Sequence, residues 1–135
     1  MDITKALNIA TTALSAQRKR MDIISSNLAN AHTTRTTQGL PYQRQDAVFE
    51  SLLMEGSKQA HGVRVSEIRT DQTPGERLFD PTHPDADSTG YVTYPNVDVM
   101  TEMVDLLSAS RAYEASLTTA ETVRDMAKRT LEIAR

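Results

Sequence analysis

The sequence predicts a mainly α fold with a small β insert. Two observations support the α part, because each end of the chain carries a long apolar pattern with the three-four spacing of a coiled coil and no Pro or Gly inside it. A third observation supports the insert, because the middle contains short alternating segments separated by turn residues. We therefore expect two long terminal helices, paired like a coiled coil, with a middle domain of short strands.

The N-terminal pattern has two seams along one predicted helix that ends near Ala31. One seam contains Leu7, Leu14, Met21 and Leu28, and the other contains Ile3, Ala10, Gln17, Ile24 and Ala31. Such a helix would be roughly 43 Å long at 1.5 Å per residue, whereas a compact domain of this chain length is about 36 Å across. Its apolar stripe therefore requires a second long helix, a neighbouring molecule, or both.

The C-terminal pattern runs from Val97 to Ala134. Its seam contains Met103, Leu106, Ser110, Tyr113, Leu117, Ala120, Ala127, Leu131 and Ala134, with Arg124 as an exception. Because Ala and Ser are frequent in both patterns, an isolated helix pair would bury little apolar area per turn. Two alternatives stay open: a helical hairpin packed on itself, and helices that pack among many copies.

The middle of the chain predicts four short strands. They run from Tyr42 to Phe49, from Gly62 to Arg69, through Leu78 and Phe79, and from Tyr91 to Tyr94. The segment from Ser51 to Ala60 is polar, and it is compatible with either a short helical turn or a flexible loop. The predicted insert is therefore small and its strands are short.

A few polar residues within the helical patterns have two possible roles. Asn27 and Asn30 fall in the last turn of the first helix, where Asn can end a helix or form buried hydrogen bonds between packed helices. Arg111 and Tyr113 are the polar candidates on the second helix for contacts between helices or subunits. Their alternatives are a solvated Arg and ordinary core packing of Tyr113.

Composition excludes several classes of function. The net charge of −3 does not suit a nucleic-acid binder, and a chain without Cys has no thiol nucleophile or disulfide. The sequence has no Gly-rich phosphate loop and no helical His–Glu metal motif. We therefore predict no catalytic or cofactor-binding residue, no cofactor and no small-molecule substrate. No segment reaches transmembrane length, and the N-terminus lacks the apolar run of a secretory signal.

An acidic loop between the last two predicted strands is the one candidate metal site. Asp85 and Asp87 imitate the opening of a calcium loop, but the twelfth position would be Asn96 instead of a bidentate Glu. Asp80 and His83 could also be imagined around zinc or as an acid–base pair. Because Pro, Asp and Gly are turn formers, ordinary turn chemistry explains the loop better, and no metal ligand is predicted.

Three segments resemble one protein family. Residues 14–31, LSAQRKRMDIISSNLANA, resemble the N-terminal signature shared by bacterial flagellar rod, hook and hook-associated proteins. Residues 80–97 and 102–115 resemble the middle and the C-terminal helix of the proximal-rod members of that family. The segment from His32 to Thr36 lacks the Gly-Tyr turn typical of hook and distal-rod members, which supports a proximal-rod subunit. Another axial subunit of the same organelle is the alternative.

The resemblance implies a structural role without catalysis. Residues 1–34 and 96–135 would form an inner domain of antiparallel helices, and residues 35–95 an outer β-rich domain. Such a subunit would be exported by the flagellar type III apparatus without a cleaved signal peptide and would assemble helically into the rod in the periplasmic space. Its partners would be copies of itself, other proximal and distal rod subunits, and the inner-membrane ring and export gate at the rod base. Nucleic acid and a membrane span are not expected.

Thirteen residues are expected at helix packing or subunit contacts. We expect the apolar ones to be buried against the partner helix or adjacent subunits, and the polar ones to bridge helices or subunits. They are Leu7, Leu14, Met21, Ile24, Asn27, Leu28, Asn30, Met103, Leu106, Arg111, Tyr113, Leu117 and Leu131.

Overall fold

The chain consists of two long helices that flank four strands. A computed structural model describes residues 3–53 and 61–133. Helix α1 spans Ile3–Ala29 and helix α2 spans Val99–Ile133. Between them lie β1 (Gln45–Leu53), β2 (His61–Thr70), β3 (Arg77–Phe79) and β4 (Tyr91–Thr93). This order of elements confirms the predicted mainly α fold with a small β insert.

The two helices pack side by side in antiparallel directions. Asn27, near the end of α1, hydrogen-bonds Glu102 near the start of α2. Arg20, two turns before Asn27 on α1, forms an ion pair with Asp105, one turn after Glu102 on α2. Helix α2 has 35 residues and α1 has 27, so α2 is longer by roughly 12 Å at 1.5 Å per residue. The pairing confirms the expected antiparallel arrangement.

Local hydrogen bonds define the two helix ends that meet the insert. Asp98 caps α2, because its carboxylate accepts hydrogen bonds from the Met100 amide and the Thr101 hydroxyl. At the end of α1, the Asn30 amide and side chain both donate to the Ser26 carbonyl. Helix α1 ends at Ala29, two residues before the predicted end at Ala31, because the Ala31 amide donates to the Leu28 carbonyl and not to the Asn27 carbonyl that a continuing α-helix would use.

Strands β1 and β2 form an antiparallel hairpin whose register runs from Gln45 opposite Thr70 to Leu53 opposite His61. Val48 lies opposite Glu67 whereas Phe49 lies opposite Val65, so β2 carries one extra residue there, a β-bulge. The prediction that residues 51–53 begin a helical turn or loop is wrong, since cross-strand pairing with β2 holds them in β1. Residues 54–60 lie outside the described part of the chain.

Strands β3 and β4 form a second antiparallel pair. Val92 in β4 is almost fully buried, and the Phe79 and Tyr91 rings meet edge to face with centroids 5.2 Å apart. Two glycines occupy positions at which a side chain would be strained or would clash. Gly90 has a φ of 82°, and a Cβ on Gly75 would lie 1.8 Å from the Tyr94 carbonyl oxygen.

The apolar core is small and is made mostly of small side chains. Its members are Ala10, Ala16, Ile23, Ile24, Ala31, Val92, Ala109 and Val123. Many large apolar side chains are exposed instead, which is unusual when they lie on one face of a helix. Within residues 3–53 and 61–133, neither helix is long and apolar enough to span a membrane.

Candidate functional site

A buried polar cluster joins the end of α1, the start of α2 and the start of β1. We call it the polar junction, and its members are Asn27, Tyr42, Arg44, Gln45 and Glu102. Asn27 and Glu102 both have an exposed fraction of 0%. The junction therefore brings one of the predicted bridging residues, Asn27, together with residues from all three parts of the chain.

The Asn27 side chain uses its complete hydrogen-bonding capacity. Its Nδ2 donates to the Gln45 carbonyl at 2.8 Å and to Glu102 Oε2 at 3.0 Å. Its Oδ1 accepts from the Tyr42 hydroxyl at 2.9 Å and from the Gln45 amide at 3.0 Å. Because an amide offers two donor hydrogens and two acceptor lone pairs, Asn27 can bind β1 and α2 at once without leaving a buried polar atom unpaired.

The buried Glu102 carboxylate is neutralised by Arg44. The Arg44 Nε donates to Glu102 Oε1, while its Nη2 lies 3.7 Å from Asp105 Oδ2. Asp105 also pairs with Arg20 of α1, with 3.6 Å between the charged atoms. Burial lowers the pKa of Arg44, but the hydrogen bond to Glu102 and the nearby carboxylates raise it by more. Arg44 is therefore charged, as a buried carboxylate requires of its partner.

A second set of hydrogen bonds ties the base of the hairpin to the start of α2. The Arg44 amide donates to Asn96 Oδ1 at 2.8 Å, and Asn96 Nδ2 donates to the Asp71 carbonyl at 3.1 Å. The Asp71 amide donates back to the Arg44 carbonyl at 2.8 Å. Several buried or half-buried polar contacts thus connect the hairpin to the helix pair at this end.

The predicted residues on α1 occupy three kinds of environment. Ile24 and Asn27 are buried, Leu14, Met21 and Leu28 are half-buried, and Leu7 is exposed by 37%. Asn30 is half-buried and ends the helix, whereas Asn27 bridges elements. Of the two possible roles, Asn30 therefore has the one at the helix end and Asn27 has the one that bridges elements.

The predicted residues on α2 are less covered. Leu106 and Tyr113 are half-buried, Arg111 is exposed, and Met103, Leu117 and Leu131 are exposed by 55%, 41% and 71%. The covered seam of α2 instead combines the row of Leu106 and Tyr113 with Glu102, Ala109, Ser116 and Val123. That second row lies one position before the predicted row of Met103, Ser110 and Leu117. The covered seam thus combines small side chains with Glu102, Leu106, Tyr113 and Val123, whereas Met103, Leu117 and Leu131 lie outside it.

An exposed apolar stripe follows from this arrangement. Met100, Met103, Val104 and Leu107 have the i, i+3, i+4, i+7 spacing of one helix face, and all four are exposed. We call these four residues the α2 stripe. In the described part of the chain nothing covers them, so the stripe is a candidate contact surface.

The acidic loop is held by its own turns. Asp80 Oδ1 accepts from the amide and hydroxyl of Thr82, and Asp87 Oδ1 accepts from the amide and hydroxyl of Thr89. Asp85 Oδ2 accepts from the Thr34 hydroxyl at 2.8 Å. Among the described residues, no three or more His, Cys, Asp or Glu side chains are grouped closely enough to hold a metal ion. The arrangement favours turn chemistry over the metal-binding alternative.

Glu102 and Arg44 are the site residues that the sequence did not reveal. Their partners are distant along the chain, since 58 residues separate Arg44 from Glu102 and 75 separate Asn27 from Glu102. One signal was available, because Glu102 has heptad spacing to Ala109, Ser116 and Val123. A charged residue at such a position indicates either an edge or a buried pair.

Comparison with known protein families identifies the class. Residues 7–35 match the family described as flagella basal body rod protein, and residues 88–133 match the one described as flagellar basal body rod FlgEFG protein C-terminal. These regions contain most of α1 and all of α2. With the fold, they define a structural subunit of the bacterial flagellar basal-body rod.

Curated relatives extend the match over nearly the whole chain. The flagellar basal-body rod protein FlgC of Bacillus subtilis is 45% identical over 143 residues, which cover 95% of each chain. The FlgC proteins of Borreliella burgdorferi and Salmonella typhimurium are 41% and 39% identical, with 98% of each chain covered. The chain therefore belongs to the FlgC family of flagellar basal-body rod proteins, and it is a component of the flagellar basal body.

Proposed function

We propose that the chain assembles helically, with copies of itself and with other rod subunits, into the proximal part of the rod, which transmits motor torque across the periplasm. The observation that carries this proposal is the α2 stripe. Apolar patches of this kind mark contact sites between proteins. For a subunit of the basal-body rod, the neighbours available to cover such a patch are other axial subunits.

The division of the chain supports an inner and an outer domain. We propose that residues 1–34 and 96–135 form the inner helical domain and residues 35–95 the outer one. The hairpin covers only one side of α1, where the Val63 amide donates to the Thr12 hydroxyl at 3.2 Å. The stripe on α2 and the half-covered Leu14, Met21 and Leu28 are then available to neighbouring helices.

The expected contacts beyond the chain follow from membership of the family. We propose that Leu7, Leu117 and Leu131, which are exposed in the single chain, become buried between subunits. The inner-membrane ring and the export gate would be the neighbours at the rod base, and export would proceed through the flagellar apparatus without a cleaved signal peptide. The relatives are named as rod proteins and not for a reaction, and we propose no catalytic activity.

Substitution of Met103 by Asp tests the role of the stripe. Because Met103 is 55% exposed in the chain, the charge should leave the free subunit folded, but it would be desolvated on assembly. A penalty of about 1.4 kcal/mol already changes an equilibrium tenfold, so we expect at least about tenfold fewer rods. Rods are counted in purified basal bodies by electron microscopy, and folding is checked by circular dichroism.

Thr119→Asp is the matched control, since Thr119 is an exposed residue of the same helix that does not lie on the face of the stripe. Cells that carry this variant should build rods and swim. Normal rod numbers in cells with Met103→Asp would contradict the assignment of the stripe as a subunit contact.

A further inference from the structure

The sizes of the side chains between α1 and α2 do not by themselves define the register of the two helices well. The covered positions on α2 follow each other at steps of four and three, and they are Glu102, Leu106, Ala109, Tyr113, Ser116, Ala120, Val123 and Ala127. The covered positions on α1 include Ala10, Ala13, Ile23 and Ile24. Because the covered apolar positions of α2 recur at heptad spacing, a shift by one heptad would still bring apolar or small side chains to most of the interface, although Tyr113 and Ala120 would exchange places.

The polar junction is different, because its buried groups have only one set of partners. Glu102 Oε2 accepts from Asn27, and Glu102 Oε1 accepts from Arg44. Arg44 precedes Gln45, whose backbone is bonded to Asn27 on both its amide and its carbonyl. The three side chains thus hold α1, α2 and β1 in one relative position.

A heptad shift in either direction would break this set. In one direction Asn27 would face Ala109, and Glu102 would pass the end of α1 at Ala29. In the other direction Asn27 would pass the start of α2 at Val99 and lose Glu102. Removing the partner of a buried charge is strongly destabilising, and a single buried polar residue is known to set register in coiled coils.

We propose that Asn27 and Glu102, with Arg44 as the counter-charge, are the specificity-determining residues for the pairing of the two terminal helices. They select the antiparallel orientation and one register, and the small apolar residues supply the close packing. The selection acts within the free chain, before contact with any neighbour. It fixes where the β insert lies along the helix pair, and so which side chains α2 presents to a partner.

The register can be measured because the chain contains no Cys. Single Cys residues at Thr11 and Ser108, both exposed and well separated along the helix axis, accept spin labels, and the distance between the labels is measured by pulsed electron paramagnetic resonance. Dilution with unlabelled chain removes distances between molecules. A slip of one heptad moves one label along the helix by about 10 Å at 1.5 Å per residue. The parent chain should give one narrow distribution of distances.

In the double variant Asn27→Leu/Glu102→Leu, both junction positions become apolar. We expect the helical content to persist while the distance distribution splits into two or more populations. The matched control is Asn8→Leu/Glu114→Leu, which makes the same two changes at exposed positions of the same helices and should keep one distance. A folded Asn27→Leu/Glu102→Leu chain with the single parent distance would overturn the proposal.

A second pair of variants tests the role of Asn27 and Glu102 in the helix register if the double Leu variant does not fold. Asn27→Asp places two carboxylates face to face and should shift or broaden the distance distribution, since like charges repel at short range. Adding Glu102→Gln to Asn27→Asp removes the repulsion and supplies an amide donor to the introduced carboxylate, although the Gln45 carbonyl still lacks the donor that Asn27 provides. The distance distribution should therefore be narrower than in Asn27→Asp alone, and an equally broad distribution would contradict the proposed role of the pair.

Discussion

At the residue scale, the junction depends on the chemistry of an amide. Asn27 donates twice and accepts twice, and no carboxylate or hydroxyl side chain of similar size offers that combination. Glu102 needs a donor on each oxygen because it is buried and charged. We therefore expect a single substitution of either residue to leave a buried polar group of the junction without its partner.

Another residue-scale effect concerns acid stability. Hydrogen bonds from the Thr89 hydroxyl and the Tyr91 amide lower the pKa of Asp87 from 3.8 to about 2. Because this value lies below that of the unfolded chain, the unfolded chain binds the proton first as the pH falls. The stabilisation by this carboxylate is therefore complete above about pH 3.8 and is lost as the pH falls through about 2.

Thr89→Val tests the main cause of this shift. Removing the hydroxyl should raise the pKa of Asp87 toward 3.8, because the Thr89 side-chain hydrogen bond is the largest contribution to its lowering. The pKa is measured by NMR titration of the Asp87 carboxyl group. Thr89→Ser keeps the hydroxyl and should leave the pKa low, and an unchanged pKa in Thr89→Val would contradict the assigned cause.

At the element scale, the close approach of α1 and α2 depends on small residues in the interface. Ala109 has an exposed fraction of 0%, and it lies two turns after Glu102 on the same face. Substitution by Leu should lower the free energy of unfolding by about 1–3 kcal/mol, because added methylene groups force the helices apart. Urea unfolding of the purified chain, followed by circular dichroism, measures this loss.

Ala115→Leu is the matched control, since Ala115 is exposed on the same helix. Leu and Ala differ little in helix propensity, so this variant should unfold at nearly the same urea concentration as the parent. Equal stability of Ala109→Leu and the parent chain would contradict close packing of the two helices at Ala109.

The sequence predicted the elements better than their contacts. Heptad spacing predicts both helices, and short segments between turn residues predict all four strands, although β1 begins at Gln45 and not at the predicted Tyr42. The end of β1 could not be predicted, because residues 51–53 are strand only through pairing with residues 61–63. The four-three spacing predicts an α2 seam through Met103 and Leu117, whereas the chain exposes both and covers Ala109 and Ser116.

The polar junction shows why sites are harder to predict than helices. Asn27 was a candidate, because an Asn near a helix end has few possible roles. Glu102 was not a candidate, because a buried carboxylate needs a counter-charge, and its partner Arg44 lies in a different part of the sequence. A heptad pattern indicates which face of a helix is covered, but it does not indicate which distant segment supplies the counter-charge.

At the scale of the whole molecule, the chain covers one face of each helix and leaves other apolar surface exposed. Polar contacts at the junction tie the β insert to both helices, and the α2 stripe remains without cover in the described residues. These features suit a subunit of the basal-body rod, because apolar helix faces that the chain does not cover itself are available to its neighbours. We therefore expect that the rod cannot be built without this chain.

Electron cryotomography of cells that lack the gene for this chain tests that claim most directly. We expect the inner-membrane ring and the export gate to be present, the rod, hook and filament to be missing, and swimming to be lost. Expression of the chain from a plasmid should restore all of these structures. A complete rod in cells without the chain would contradict the account.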